Sequence, residues 1–441
     1  MSTLRRMTKS TMVRTTGAML GVRALSVLIG IALSVLLARW LAPEGYGIYL
    51  FTLTIAKFLA LPIVAGLPTL VVREVAIARG QADNNGLWGL LLWSAGFLLG
   101  TTCLASILTA AYVGISNGSS NGQTQIYLIA IPLVLSLAVL RVSSAVLQGH
   151  EHPFAGNLGD GFIRPSFLLI FIFVAVTFGV LTPTSALWFH VIAASLAASF
   201  AMIYWWVFCR DLLPNERPTP HYETRKWLKS LVPLSLTTAA SLISKRTDIL
   251  MLGFFSQITS VAVYGIAAQL SGLVVMGQTI VNSIVAPKIA RLYRQERPEE
   301  LRNMLTKAAR LSTGIAVCVC GFIFFLGSQI VDLLLDDGYS DAWPIAMILC
   351  LGTLFSSAMG PTTSVLTMTG HEKVMVRLVW QSALANVLLN ALLIPKYGGV
   401  GAAVATTSSL VFLQLSMALW ISRKLGLDTT IVGRNVPTAD L

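Results

Sequence analysis

Charge is scarce in this chain: only 11% of its 441 residues are Asp, Glu, Lys or Arg, and 55% are hydrophobic. An ordinary soluble domain is about one quarter charged. The scarcity excludes a water-soluble globular protein. Acid is scarcer still, with 19 Asp and Glu against 31 Lys and Arg. The five cysteines fall in or at the ends of apolar segments and form neither a disulfide framework nor a spaced metal site. No Walker loop is present, so the chain is not its own ATP motor, and no H-E-x-x-H pair marks a metalloprotease. No cofactor is implied.

What fills the chain instead is long apolar runs. A helix needs about 20 apolar residues to cross the bilayer core, and about twelve such segments are present. They begin near 17–38, 46–66, 87–113, 124–147, 162–181 and 185–208, and resume near 231–255, 260–284, 311–335, 342–366, 374–394 and 400–421. The basic N-terminus precedes an apolar run longer than a signal-peptide core, which predicts an uncleaved first span. The expected fold class is an all-α polytopic membrane protein. Its organisation reads as an N-terminal six-helix bundle (1–208), a polar, proline-rich cytoplasmic linker (209–230), a C-terminal six-helix bundle (231–422) and a cytoplasmic tail (423–441).

The net charge of +12 follows the membrane. Basic residues crowd alternate loops, from Arg5 and Arg6 through Arg73, Arg79, Arg141 and Arg164 to the run from Lys288 to Arg310. The opposite loops hold only Arg39 and Lys396. This bias predicts both termini in the cytoplasm of a cell-membrane protein. It also accounts for the basic pI without a nucleic-acid partner.

The halves repeat each other weakly. "YGIYLFTLTIAKF" from Tyr46 and "YGIAAQLSGLVVM" from Tyr264 open the second span of each half. "LQGHEH" (147–152) and "MTGHEK" (368–373) link the fourth and fifth spans, and their His and Glu residues read as solvated connectors. An even number of spans per repeat makes the two bundles parallel, an architecture that often holds substrate in a central cavity and alternates access by rocking. "GAMLG" (17–21) and "GFLLG" (96–100) predict close helix contacts.

The candidate site rests on polar residues where lipid is expected. Lys245 and Asp248 stand three apart in "SLISKRTDILMLG" and share a helix face, predicting a local ion pair that leaves Arg246 over. Arg23 and Lys57 have no acid on their own helices. Each such charge costs at least about 2.5–3.5 kcal/mol at depth, so they are expected to face an interior or watery cavity. Together these five carry a surplus of positive charge, which points to an anion site between the halves; snorkelling or a structural lock is the alternative. Gln278 with Asn282, and Ser382 with Asn386 and Asn390, form polar stripes at four-residue spacing, suited to hydroxyl-rich sugar or to interhelical hydrogen bonding.

"LARWLAPEGYGIY" (37–49), "GLPTLVVREVA" (66–76), "RTDILMLGFFSQITSVAVYGIAAQL" (246–270) and "YGGVGAAVATTSS" (397–409) resemble the polysaccharide-biosynthesis exporters, the lipid-linked oligosaccharide flippases of O-antigen type. These belong to the multidrug, oligosaccharidyl-lipid and polysaccharide exporter superfamily. The resemblance implies two six-helix bundles around a cationic central cavity that moves a polyprenyl-pyrophosphate-linked oligosaccharide between leaflets. It implies membrane lipid, and a polysaccharide polymerase or other assembly proteins, as partners. A drug or cation antiporter of the same superfamily is the nearest alternative. A membrane glycan polymerase or ligase, or an assembly scaffold, is the alternative from other classes.

Overall fold

The computed structural model describes residues 2–81, 83–115, 121–209, 219–335 and 337–433, without the side chains of 2–20, 23, 24, 62, 112–115, 121–127, 237 and 337. Residues 210–218 of the expected linker (209–230), residues 434–441 of the expected tail (423–441) and the Arg23 side chain therefore lie outside the described residues. Among the described residues the secondary structure is entirely helical.

The chain divides into two compact units: residues 1–41 with 52–239, and residues 42–51 with 240–441. The first contains most of α1 (Ser2–Leu59), then α2 (Leu61–Val64), α3 (Leu67–Gln81), α4 (Asn84–Ile115) and α5 (Asn121–Gly149). It continues through α6 (Pro153–Leu158), a π turn (Gly159–Ile163), α7 (Arg164–Thr177), α8 (Pro183–Phe208) and the start of α9 (Thr224–Phe255). The second contains the rest of α9, α10 (Ile258–Arg294), α11 (Pro298–Leu334), a short 3-10 turn (Asp337–Tyr339), α12 (Ala342–Ala358), α13 (Thr362–Met368) and α14 (Glu372–Leu425).

Among the described residues eight helices are long and apolar enough to cross a membrane, and the bent pair α12–α13, taken as one span, makes nine. α1 has 58 residues and would run about 87 Å at about 1.5 Å per residue, nearly three times the bilayer core of about 30 Å. It is two spans joined at Ala42, where φ 54 and ψ 172 leave the helical region. Pro43 causes the break by disfavouring helical backbone at the residue before it. α14 also breaks, at Gly398 (φ 52, ψ −129), where no proline follows and glycine itself permits the positive φ. With both helices divided, and with α9, whose apolar stretch is interrupted by Lys245, Arg246 and Asp248, every expected apolar segment lies on a helix. The protein is an all-α multi-pass membrane protein.

Local chemistry sets the helix limits. Thr182 and Ser185 form a reciprocal capping box ahead of α8, with Thr182 N to Ser185 Oγ at 2.8 Å and Ser185 N to Thr182 Oγ1 at 3.1 Å. Gly426, at φ 62, ends α14 in the left-handed conformation that glycine adopts without strain.

Two expectations are corrected. A Cβ on Gly21, Gly96 or Gly100 would meet nothing within 4 Å, so these three glycines are not close-contact points, while the Gly17 position of the first motif lies outside the described side chains; the motif is short enough to arise from composition alone. The close approaches are elsewhere: a Cβ on Gly89 would collide with the His221 carbonyl, and one on Gly47 with the Ile258 carbonyl. Nor is the histidine of the first His-Glu connector solvated, although Glu151 beside it is exposed as expected. His150 is 2% exposed, its Nδ1 lies 2.8 Å from Val146 O, and its ring meets Trp205 edge-on at 6.2 Å. Arg79 donates to its carbonyl at 2.6 Å. His371 of the second connector likewise packs on a tryptophan, Trp420, at 5.0 Å. The repeated "GHE" words are therefore packing keys, each closing a connector onto the last span of its half.

Candidate functional site

The first unit holds a cavity of about 850 Å³. Five elements form it, supplying Val22 and Ser26 from α1, Thr69 and Arg73 from α3, Arg141, Ser144 and Gln148 from α5, Asn157 from α6, and Asp160 and Gly161 from the π turn. The π turn matters locally. A widened turn of this kind displaces side chains from the regular helical register and recurs at functional sites. Here it carries Asp160.

Asp160 is the acid at the centre of a basic cluster. Its Oδ2 lies 2.8 Å from Arg141 Nη2 and its Oδ1 2.9 Å from Arg164 Nε. Arg164 Nη1 lies 2.9 Å from Nε2 of the buried His190. A guanidinium only donates, so that nitrogen accepts and the imidazole is neutral. Lys57, half-buried, lies within electrostatic reach of both Asp160 and His190. One carboxylate thus faces three cations, and the surplus charge sits beside the cavity.

From α3, Arg73 pairs with the buried Glu74 at 2.8 Å, and Glu74 also receives Lys226 at 3.2 Å. The side chains of Arg73 and Arg141 remain about half exposed, at 47% and 53%. The Ser144 hydroxyl is buried without a hydrogen-bond partner in the protein. Two forked guanidinium groups, a spare hydroxyl and the amides of Gln148 and Asn157 are gathered at this cavity; guanidinium forks are by their chemistry suited to phosphate-type anions.

The second unit contains a different kind of polar cluster. Asp248 of α9, 3% exposed, accepts hydrogen bonds from Tyr264 Oη at 2.6 Å, Thr406 Oγ1 at 2.7 Å and Asn390 Nδ2 at 2.7 Å. Asn390 Nδ2 also reaches Asn386 Oδ1 at 3.1 Å, and Asn386 Nδ2 lies 3.3 Å from both Thr406 Oγ1 and Ser409 Oγ. Ser382 closes the stripe by donating to Ser409 O at 2.8 Å. The expected Lys245–Asp248 ion pair is not formed. Lys245 is exposed, and Asp248 turns towards α10 and α14, whose neutral donors satisfy it without burying an ammonium group.

Arg246 is half-buried, within electrostatic reach of the Tyr46 and Tyr264 phenols. Gln278 donates to Ser356 Oγ at 3.2 Å, and Asn282 is half-buried further along α10. The structure therefore brings Asp248, Asn386 and Asn390 together and places Lys57 near Asp160. It leaves Lys245, Gln278 and Asn282 outside both clusters.

Sequence reasoning assigned Arg141 and Arg164 to topology and passed over Asp160, His190 and Ser144. A signal was present: "GDGFIRP" places Asp160 four residues before Arg164 on a side otherwise dominated by cations.

A helical multi-pass membrane protein with a cavity bordered by Arg73 and Arg141 inside its first unit is the class these features define. Residues 12–293, more than half of the chain, match the polysaccharide biosynthesis protein family, and the chain belongs to that family. Residues 233–392 match the MatE family. Among curated relatives, an uncharacterised membrane protein of Methanocaldococcus jannaschii is 23% identical over 235 residues, covering 52% of this chain and 46% of that protein. Capsular polysaccharide biosynthesis protein CapF of Staphylococcus aureus is 28% identical over 182 residues, 40% of this chain and 45% of that protein. Both matches span less than half of the relative's length.

The fold is like that of solved transporter structures, one of them described as a member of the MOP superfamily. An inward-facing multidrug resistance MATE transporter aligns with TM-score 0.71 at 15% identity, covering 90% of this chain and 93% of its own. The lipid II flippase MurJ in an inward closed conformation aligns with TM-score 0.71 at 16% identity, covering 91% and 86%.

Proposed function

We propose that this protein moves a polyprenyl-pyrophosphate-linked oligosaccharide from the cytoplasmic to the outer leaflet for cell-surface polysaccharide synthesis, by alternating access. The carrying observation is the 850 Å³ cavity with Arg73, Arg141 and the unsatisfied Ser144 hydroxyl on its walls. A pyrophosphate supplies the negative charge these guanidinium groups attract, and sugar hydroxyls supply partners for Ser144, Gln148 and Asn157. Membership of the polysaccharide biosynthesis family and the likeness to a lipid II flippase support the same reading.

Arg23, Lys57, Lys245 and Arg246 are further cations proposed to meet the anionic headgroup on its route, with Gln278 and Asn282 as neutral partners. The positive-inside bias supports a plasma-membrane protein with cytoplasmic termini, and the enzyme that polymerises the exported unit is the partner this role calls for. A drug or cation antiporter is the second reading, favoured by the buried carboxylate of Asp248 and the MatE match. It leaves the arginine-lined cavity without a purpose.

Deleting the gene and labelling lipid-linked oligosaccharide leaflet by leaflet separates these readings. The proposal predicts accumulation on the cytoplasmic leaflet, reversed by the intact gene. Unpolymerised units accumulating on the outer leaflet would point to polymerisation instead, and an unchanged distribution to the antiporter.

A further inference from the structure

Each cavity arginine is already held by a carboxylate, and each of those carboxylates has a second cation of its own. Arg141 on α5 meets Asp160 Oδ2 through Nη2, at 2.8 Å. Asp160 is anchored besides by Arg164, four residues on, whose Nε lies 2.9 Å from Oδ1 and whose Nη1 donates to Nε2 of the buried His190 on α8 at 2.9 Å. Arg73 on α3 donates from Nε and Nη2 to Glu74 Oε1 at 3.0 and 2.8 Å, while Lys226 pairs with the other oxygen at 3.2 Å.

The members of each set are placed differently. Arg73 and Arg141 are half-exposed and border the cavity, whereas Arg164 is 23% exposed and tied to α8. Arg73 and Arg141 are therefore the groups able to turn to a ligand. Arg164 and Lys226 stay behind with Asp160 and Glu74, which matters because a carboxylate stripped of every partner in a buried place is strongly destabilising. Three residues beyond Arg141 on the same helix face, Ser144 is 5% exposed and its hydroxyl has no partner in the protein, which offers a ligand oxygen a place beside the fork.

Two carboxylates already seated on the two forks set a charge threshold. A head with a single negative charge gives Arg141 one anion in exchange for another and gains little. A pyrophosphate brings a charge on each phosphorus, offers an anion to both forks, and replaces the carboxylates with better-matched acceptors. We propose that Asp160 and Glu74 are resident counter-ions that make this cavity select a pyrophosphate-linked glycolipid over a monophosphate-linked one. The selectivity rests on the flippase reading and narrows it: the rejected class is the polyprenyl-phosphate sugar, a phosphodiester with the same chain and sugar but a single charge.

The test uses full-length protein in nanodiscs, with undecaprenyl-pyrophosphate-linked glucose, undecaprenyl-phosphate-linked glucose and phosphatidylglycerol as probes in native mass spectrometry. Wild-type protein is expected to bind the pyrophosphate lipid at least about tenfold more tightly than the phosphate lipid, the scale of one charge-assisted hydrogen bond. Asp160→Asn keeps the side chain's shape and removes its charge. It is expected to tighten binding of the phosphate lipid about tenfold and of the pyrophosphate lipid by less, so that the preference shrinks. Glu74→Gln is expected to shrink the preference in the same direction, and it supplies the reading if Asp160→Asn fails to fold.

Folded variants that keep the wild-type preference would overturn the counter-ion role and leave the flippase reading standing, as would equal binding of the two glycolipids by the wild type. Weaker binding of both glycolipids by Asp160→Asn would show that the carboxylate only positions Arg141, and would overturn the role also. Wild-type protein that prefers neither glycolipid over phosphatidylglycerol would remove the flippase reading itself, and the selectivity with it.

Discussion

Asn390 Nδ2 lies 2.7 Å from Asp248 Oδ1, joining positions 142 residues apart inside the second unit. With Tyr264 and Thr406 it gives the buried carboxylate three neutral donors. Asp248→Asn replaces an acceptor-only group with one that directs its own N–H groups at those donors. A buried polar group left without partners costs about 1–3 kcal/mol, so the variant is expected to lose about 2–3 kcal/mol, read as a lower thermal midpoint in detergent. An unchanged midpoint would mean the network does not hold the unit together.

Ala42 occupies a backbone region that is essentially reserved for glycine, at φ 54 and ψ 172. Such strain costs about 1–3 kcal/mol, partly offset on substitution by the greater chain entropy of glycine. Ala42→Gly should therefore stabilise the protein by about 1 kcal/mol, and a thermal midpoint that falls would show that the kink is unstrained.

The paired Tyr-Gly words make different demands. A Cβ on Gly47 meets the Ile258 backbone, which cannot step aside, whereas one on Gly265 meets the flexible end of Leu50. Gly47→Ala should destabilise by about 1–3 kcal/mol, the usual overpacking range, and Gly265→Ala by less. Unfolding of the two variants side by side checks the order.

His150 makes stability depend on pH. Burial holds its imidazole below the ordinary value of 6.5, outweighing the hydrogen bond to Val146, and Arg79 adds to the lowering. The folded protein therefore resists a proton that the unfolded chain accepts, so stability present above about pH 6.5 is lost as pH falls through the folded value. Comparing midpoints at pH 7.5 and 5, the drop should be smaller in His150→Gln than in the wild type. Equal drops would assign the loss to other groups.

Much of this fold is legible in the sequence because burial in lipid leaves a one-dimensional mark: each apolar segment became a helix, and Pro43 marks the first kink. The repeat was legible too, in the words around His150 and His371. The partners of Asp248 were not, because Asn390 and Thr406 reach it only through tertiary packing, while the nearby Lys245 suggested a pair that the helix faces away from. Arg141 carries the same ambiguity. Its place near a membrane boundary is explained by topology, and only the π turn that brings Asp160 to 2.8 Å reveals its second role.

The most direct test of the cationic cavity is leaflet transfer by purified protein in liposomes, using a polyprenyl-pyrophosphate-linked oligosaccharide placed in one leaflet. Wild-type protein should transfer it faster than empty liposomes. Arg73→Gln with Arg141→Gln should slow transfer by at least about tenfold, the scale of one lost charge-assisted hydrogen bond, in protein with an unchanged melting profile. Transfer at the wild-type rate by that folded double variant would contradict the account.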